Sequence, residues 1–152
     1  MLTDVLTPEQ RRKNMSAIRG RNTKPEIKLR KLLHQSGFRY RLYQAGLPGR
    51  PDLVFKMYNA AIFVNSCFWH CHANCKYFKG YPKTHPDFWR KKLGRNVARD
   101  KENYRDLAEL GWRVCIVWEC ALKGTGKLPS EEIASRIGQW LKSDISFMTF
   151  AG

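Results

Sequence analysis

The chain is predicted to be a mixed α/β fold, one sheet flanked by helices, and three observations lead there. Residues 38–43, 52–55, 60–64 and 112–118 carry the period-two alternation or short apolar run of strands. Residues 24–36, 87–93, 96–110 and 130–141 instead space their apolar positions three or four apart, as helices do. The two kinds of segment are interleaved, giving helix, helix, three strands, a cysteine-rich loop, helical segments, strand and helix.

Thr7-Pro8-Glu9-Gln10 combines an N-cap, a proline at the first helical position and a glutamine that closes a capping box. A short basic helix to about Ile18 is expected, ended by Gly20-Arg21-Asn22, and residues 1–22 read as an arm lying off the core. Thr23-Lys24-Pro25-Glu26 is a second capping box, and Ile27, Leu29, Leu32 and Leu33 follow at helical spacing up to Gly37. Phe38, Tyr40 and Leu42 alternate with Arg39, Arg41 and Tyr43, a strand with one wet face. After the turn at residues 46–51, two buried strands at 52–55 and 60–64 form a hairpin through Tyr58-Asn59.

Beyond the loop at residues 82–86, one helix starts near Asp87. A longer one spans about Asn96 to Leu110 with Val97, Tyr104, Leu107 and Leu110 as its inner stripe, and Gly111 stops it. The strand at 112–118 ends at Glu119-Cys120. A last helix, capped by Ser130, carries Ile133, Ile137, Trp140 and Leu141 on one face. No repeat or long linker divides the chain, so residues 1–152 are expected to form a single domain.

Lys and Arg number 28 against 13 acidic residues, a net charge of +15, which points to a polyanionic partner. No apolar stretch approaches the roughly 20 residues of a membrane span. The first residues lack the apolar core of a signal peptide, so a cytoplasmic protein is expected. Five cysteines in a reducing compartment favour metal ligation over disulfides.

Residues 67–75, Cys-Phe-Trp-His-Cys-His-Ala-Asn-Cys, concentrate the chemistry. Cys67, His72 and Cys75 supply three ligands suited to Zn²⁺, and Cys120, just past a strand, is the natural fourth. Four protein ligands close the coordination sphere, making such a zinc structural. Asp52, after Pro51 at a strand start, reads either as a Mg²⁺ ligand of a phosphodiester-cleaving site or as a turn former. The next strand has no acid-x-Lys triplet, so an enzyme built on Asp52 needs another base. His70 is one choice, with Asp100 to orient it; the alternative is a surface histidine. Phe68, Trp69 and Trp89 read as wedges for DNA or as core.

Asn14-Met15, residues 47–52, Cys67-Phe68-Trp69-His70, Phe88-Trp89, Asn96 with Asp100, Gly111-Trp112-Arg113-Val114 and Trp118-Glu119-Cys120 together resemble the very short patch repair endonucleases, the Vsr family. The resemblance runs from about Pro8 to Trp140. It implies a restriction-endonuclease-like sheet carrying a mismatch-directed nickase, whose members recognise the T·G mispair left when 5-methylcytosine deaminates. They cut 5′ to the thymine using Mg²⁺.

By this resemblance Asp52 binds Mg²⁺, helped by the main-chain oxygen of Val64, and His70 is the general base supported by Asp100. Glu26 matches a family acid near the site. The zinc ligands map onto Cys67, His72, Cys75 and Cys120. Phe68, Trp69 and Trp89 match the aromatic wedge, and Met15 on the arm matches a residue entering from the opposite groove. A mismatch-repair protein is a candidate companion, and cutting one strand needs only a monomer.

Two departures stand out: Val64-Asn65-Ser66 replaces a Thr-His-Gly found in some members, and the spacing from His72 to Cys75 is one residue longer than in some. Two other readings share the charge and the zinc: a DNA-binding module without catalysis, and a nuclease of normal duplex. A thiol redox enzyme using Cys71 and Cys75 fits least, because they are not spaced Cys-x-x-Cys.

Overall fold

β1 (Arg41–Leu42), β2 (Leu53–Phe55), β3 (Ala60–Asn65), β4 (Arg113–Trp118) and β5 (Phe147–Phe150) hydrogen-bond in that order into one mixed sheet. The first three are antiparallel, and β4 and β5 continue parallel to β3. The computed structural model describes residues 7–9 and 22–152. The expected arm helix, Met15 included, therefore lies outside the described residues except at its first three positions.

Among the described residues three helices cover the sheet: α1 (Lys24–Gln35), α2 (Pro86–Glu109) and α3 (Ser130–Leu141). Leu29 and Leu33 of α1 and Ile133, Ile137 and Trp140 of α3 pack against Leu53, Phe55, Ile62, Cys115 and Val117. Leu107 of α2 packs on the other face against Phe63, Val114 and Ile116. Alternate residues of β3 and β4 thus enter two different cores, which is why these strands are apolar throughout. Each fully buried leucine or isoleucine contributes about 1.5–3 kcal/mol relative to leaving it in water.

The hairpin of β2 and β3 turns through a short 3₁₀ segment, Lys56–Tyr58, and Asn59 takes the left-handed conformation with φ 48°. Asparagine tolerates that region better than most residues. Arg113 ties the hairpin to α3, donating to the carbonyls of Tyr58 at 3.0 Å, Trp140 at 2.9 Å and Leu141 at 2.8 Å. It thereby adds donors at the end of α3, where the Trp140 carbonyl also accepts from Ser143.

Four expectations need correction. The strand at residues 38–43 shrinks to Arg41–Leu42, both exposed, because Phe38 and Tyr40 turn instead onto the α1–α3 core. The two helical segments at 87–93 and 96–110 are one helix of 24 residues: Gly94 costs only about 1 kcal/mol and no proline interrupts it. Leu110 of the expected inner stripe is 62 % exposed, because the helix ends one residue earlier. Ser130 is the first residue of α3 rather than its cap, which is Pro129. One element was not foreseen, β5, whose outward residues are polar or exposed and whose pairing partner, β4, is distant in sequence.

Candidate active site and metal centre

Pro51 stops the β2–β3 ladder at the position where the site begins. Leu53 pairs with Ile62, so two residues further on Val64 would face Pro51, which has no N–H to give. The Val64 N–H instead donates to Asp52 Oδ2 at 2.6 Å, and Pro51 has no N–H to offer the Val64 carbonyl. Burial pushes the Asp52 carboxyl up to about 7, and the charge of Glu26 acts in the same direction; the Val64 N–H and Arg30 oppose it.

Glu26 is 2 % exposed, and its surroundings separate its two expected roles. Thr23 Oγ1 accepts the Glu26 N–H at 3.4 Å, which is half of a capping box. The Glu26 carboxylate does not complete the box on Thr23. Its Oε2 accepts from the Asn22 N–H at 3.1 Å, from Arg30 Nη2 at 3.0 Å and from the Tyr43 hydroxyl. One acid therefore anchors the start of α1 and lines the cleft beside Asp52.

His70 enters the same cleft from the loop after β3, and α2 holds it there. Asp100 Oδ2 lies 2.5 Å from His70 Nδ1. An ionised Asp100 fixes the tautomer with the proton on Nδ1 and leaves Nε2 as the acceptor. One turn earlier on the same face of α2, Asn96 Nδ2 donates to the Trp69 carbonyl at 3.1 Å. The cleft, about 490 Å³, is lined by Glu26, Tyr43, Asp52, Val64, Asn65, His70 and Asp100, with Arg50 and Arg99 at its edge. Asn65 is buried and donates through Nδ2 to the Tyr104 hydroxyl at 2.8 Å.

Cys67, His72, Cys75 and Cys120 come together next to this cleft, their ligand atoms all within 4.8 Å of one another. The set is soft and borderline, three thiols and an imidazole, and suits a metal such as zinc. The His72 ring stacks on Trp118 with centroids 4.1 Å apart and planes 6° from parallel. Glu119 secures the loop entrance, Oε1 accepting the Cys67 N–H at 3.0 Å. Cys115 is buried in β4 away from the cluster, and Cys71, at φ 50°, stays out of it too.

Phe68, Trp69 and Trp89 form one half-buried aromatic group, with centroid separations of 5.2, 5.6 and 5.7 Å. Phe88, 56 % exposed, extends it outward. Sequence reasoning missed Tyr43, Glu119, Arg50, Arg99 and Asn103. The polar positions 96, 99, 100 and 103 recur at one-face helical spacing, a signal that pointed to the α2 members.

An acid at a strand start and a histidine–carboxylate pair share one cleft, on a mixed sheet with a cysteine–histidine cluster alongside, an arrangement compatible with the endonuclease class. The comparisons with known proteins narrow that class. Residues 3–76 match the family model described as DNA mismatch endonuclease Vsr. The chain is 46 % identical over 140 residues to the DNA mismatch endonuclease Vsr of Escherichia coli, covering 92 % of this chain and 88 % of that protein. It is 45 % identical over 127 residues to the type II nicking enzyme V.XorIIP of Xanthomonas oryzae pv. oryzae, 84 % of this chain and 92 % of the relative. A type II nicking enzyme of Neisseria meningitidis, V.NmeAIP, is 41 % identical over 123 residues, 80 % and 86 % of the two chains. The chain belongs to the Vsr family of DNA mismatch endonucleases.

Proposed function

We propose that this protein nicks duplex DNA on the 5′ side of the thymine in a T·G mispair, by Mg²⁺-dependent phosphodiester hydrolysis. The observation that carries the reading is the convergence of Asp52, the Val64 main chain and the His70–Asp100 pair in one cleft. The donors on the Asp52 side are hard oxygens, as Mg²⁺ requires, and a buried carboxylate crowded by Glu26 favours a cation in place of its proton. Mg²⁺, when bound by Asp52 and the Val64 carbonyl, supplies positive charge against the scissile phosphate.

The chain's own groups do the rest. His70 Nε2 takes a proton from the attacking water as its oxygen adds to phosphorus. Asp100 holds the ring in place and stabilises the imidazolium that forms. The bond to the leaving sugar oxygen breaks, and that oxygen takes up a proton. Arg50 and Arg99 complement the phosphate charge at the edge of the cleft. Phe68, Trp69 and Trp89 stack beside the mispair, where unstacking costs least, and Met15 enters from the other groove. Cys67, His72, Cys75 and Cys120 hold a structural Zn²⁺ that fixes the loop between the wedge and the base.

The partner is double-stranded DNA, and binding should weaken with salt by about 0.9 log units per log unit of salt for each phosphate neutralised. The test is cleavage of end-labelled duplexes differing only by T·G against C·G, in several flanking sequences, with and without Mg²⁺. A Mg²⁺-dependent nick beside the mispaired thymine alone supports the proposal. Equal cutting of paired duplex, or binding with no cut, overturns it.

A further inference from the structure

We propose that Gly152 is a positioning residue of the cysteine–histidine centre: its backbone N–H donates to the sulfur of Cys120, in a space that only glycine fits. This rests on the reading of that cluster as a zinc site. The strand that sequence did not foresee makes the arrangement. β5 runs parallel to β4, with Phe150 opposite Val117, and the buried Phe150 ring anchors its end. Two residues later the Gly152 N–H lies 3.3 Å from Cys120 Sγ.

The fit leaves no room for a side chain. A Cβ added at Gly152 would stand 2.1 Å from the Cys120 carbonyl oxygen and 2.4 Å from that of Gly126. Both are backbone atoms, which cannot swing aside as a side chain can. Ala151 and Gly152 also line a cavity of about 530 Å³ shared with His72, Cys75, Cys120 and Gly126.

The physical role follows from charge. A centre with three thiolates carries excess negative charge, and an N–H aimed at one sulfur disperses it and fixes that sulfur's orientation. Losing this donor removes the hydrogen bond that holds the Cys120 sulfur in place, which speeds the departure of the metal. Outer partners of metal ligands typically cost 10–100-fold in metal affinity when removed.

The test measures zinc release to a chromogenic chelator from the loaded protein, with zinc content determined first. Gly152→Ala and a chain shortened to end at Ala151 should both release zinc at least about 10-fold faster than the parent. Gly126→Ala should release at the parental rate, because its added Cβ comes no closer than 3.5 Å to Gly152. In the Co²⁺-substituted proteins, the sulfur-to-metal charge-transfer band of both Gly152 variants should move to longer wavelength. Thermal unfolding reports whether the fold itself is damaged. A parent that binds no zinc overturns the zinc reading. A zinc-loaded parent whose Gly152 variants match it in release rate and spectrum overturns this proposal alone.

Discussion

Residues 67–75 supply two adjacent regions that differ in donor type and in how each is held. The Cys67, His72, Cys75 and Cys120 cluster draws on a loop and on the turn after β4, with Cys67 and Cys120 buried and Glu119, Trp118 and Gly152 packed around them. The cleft of Asp52, His70 and Asp100 is open, is lined by oxygen and imidazole groups, and draws on β2, the loop and α2. Soft donors that close around an ion serve structure, whereas hard donors that leave room for water and phosphate serve chemistry. His70 sits three residues from Cys67 and two from His72, so fixing the cluster also fixes the placement of His70 in the cleft.

The sharpest way to break this division is Cys120→Ser. It should abolish zinc retention, lower the melting temperature by about 10 °C or more and remove nicking as well, since each kcal/mol moves Tm by about 2–4 °C at this size. Zinc content and thermal melts check it; a Cys120→Ser protein that nicks normally would dissolve the link between the regions. His70→Ala should touch only the cleft. Nicking should fall about 10²–10⁴-fold, with zinc content and Tm unchanged, and retained nicking would remove His70 from the chemistry.

Trp69→Ala tests the shared loop between them. Its preference for mismatched over matched duplex should drop about 10-fold, read as the ratio of dissociation constants, because a stacked aromatic contributes roughly 1–3 kcal/mol per base. An unchanged ratio would make the aromatic group core rather than reader.

The smallest effect is a pH dependence of the cleft. The Asp52 carboxyl at about 7 in the fold lies above its ordinary value near 3.8, so the folded chain keeps a proton that the unfolded chain has lost. Its contribution to stability is therefore fully present below about pH 4 and is lost as pH rises to about 7. A cation that replaces the proton reverses the loss. The rise in Tm on adding Mg²⁺ should accordingly be larger at pH 8 than at pH 5.5, by about 2–4 °C per kcal/mol of binding energy gained, and Asp52→Asn should flatten the difference. An equal rise at both pH values in the parent would place the cation elsewhere.

Much of this was legible before any coordinates. The N-cap at Thr23, the apolar runs of β3 and β4 and the spacing of the cysteines and histidine in residues 67–75 are local patterns, and each has a local physical cause. β5 was not legible: Phe147-Met148-Thr149-Phe150 is only four residues long, and it becomes a strand because β4 offers a free edge. Two helical segments were expected where α2 is continuous through Gly94. Packing of Leu93 and Leu107 outweighs its cost.

Residue types and spacings alone determined the basic charge, the sheet-and-helix class, the four residues of the cysteine–histidine cluster and the candidates Asp52, His70 and Asp100. Those depend on chemistry carried by the side chains and on periodicities of a few residues. Tertiary structure decided what no spacing encodes: that Glu26 bonds Tyr43, Arg30 and Asn22 while facing Asp52, that Pro51 frees the Val64 main chain, and that Gly152 returns to Cys120. Each joins segments distant along the chain, and only the pairing of strands and the packing of helices sets such distances.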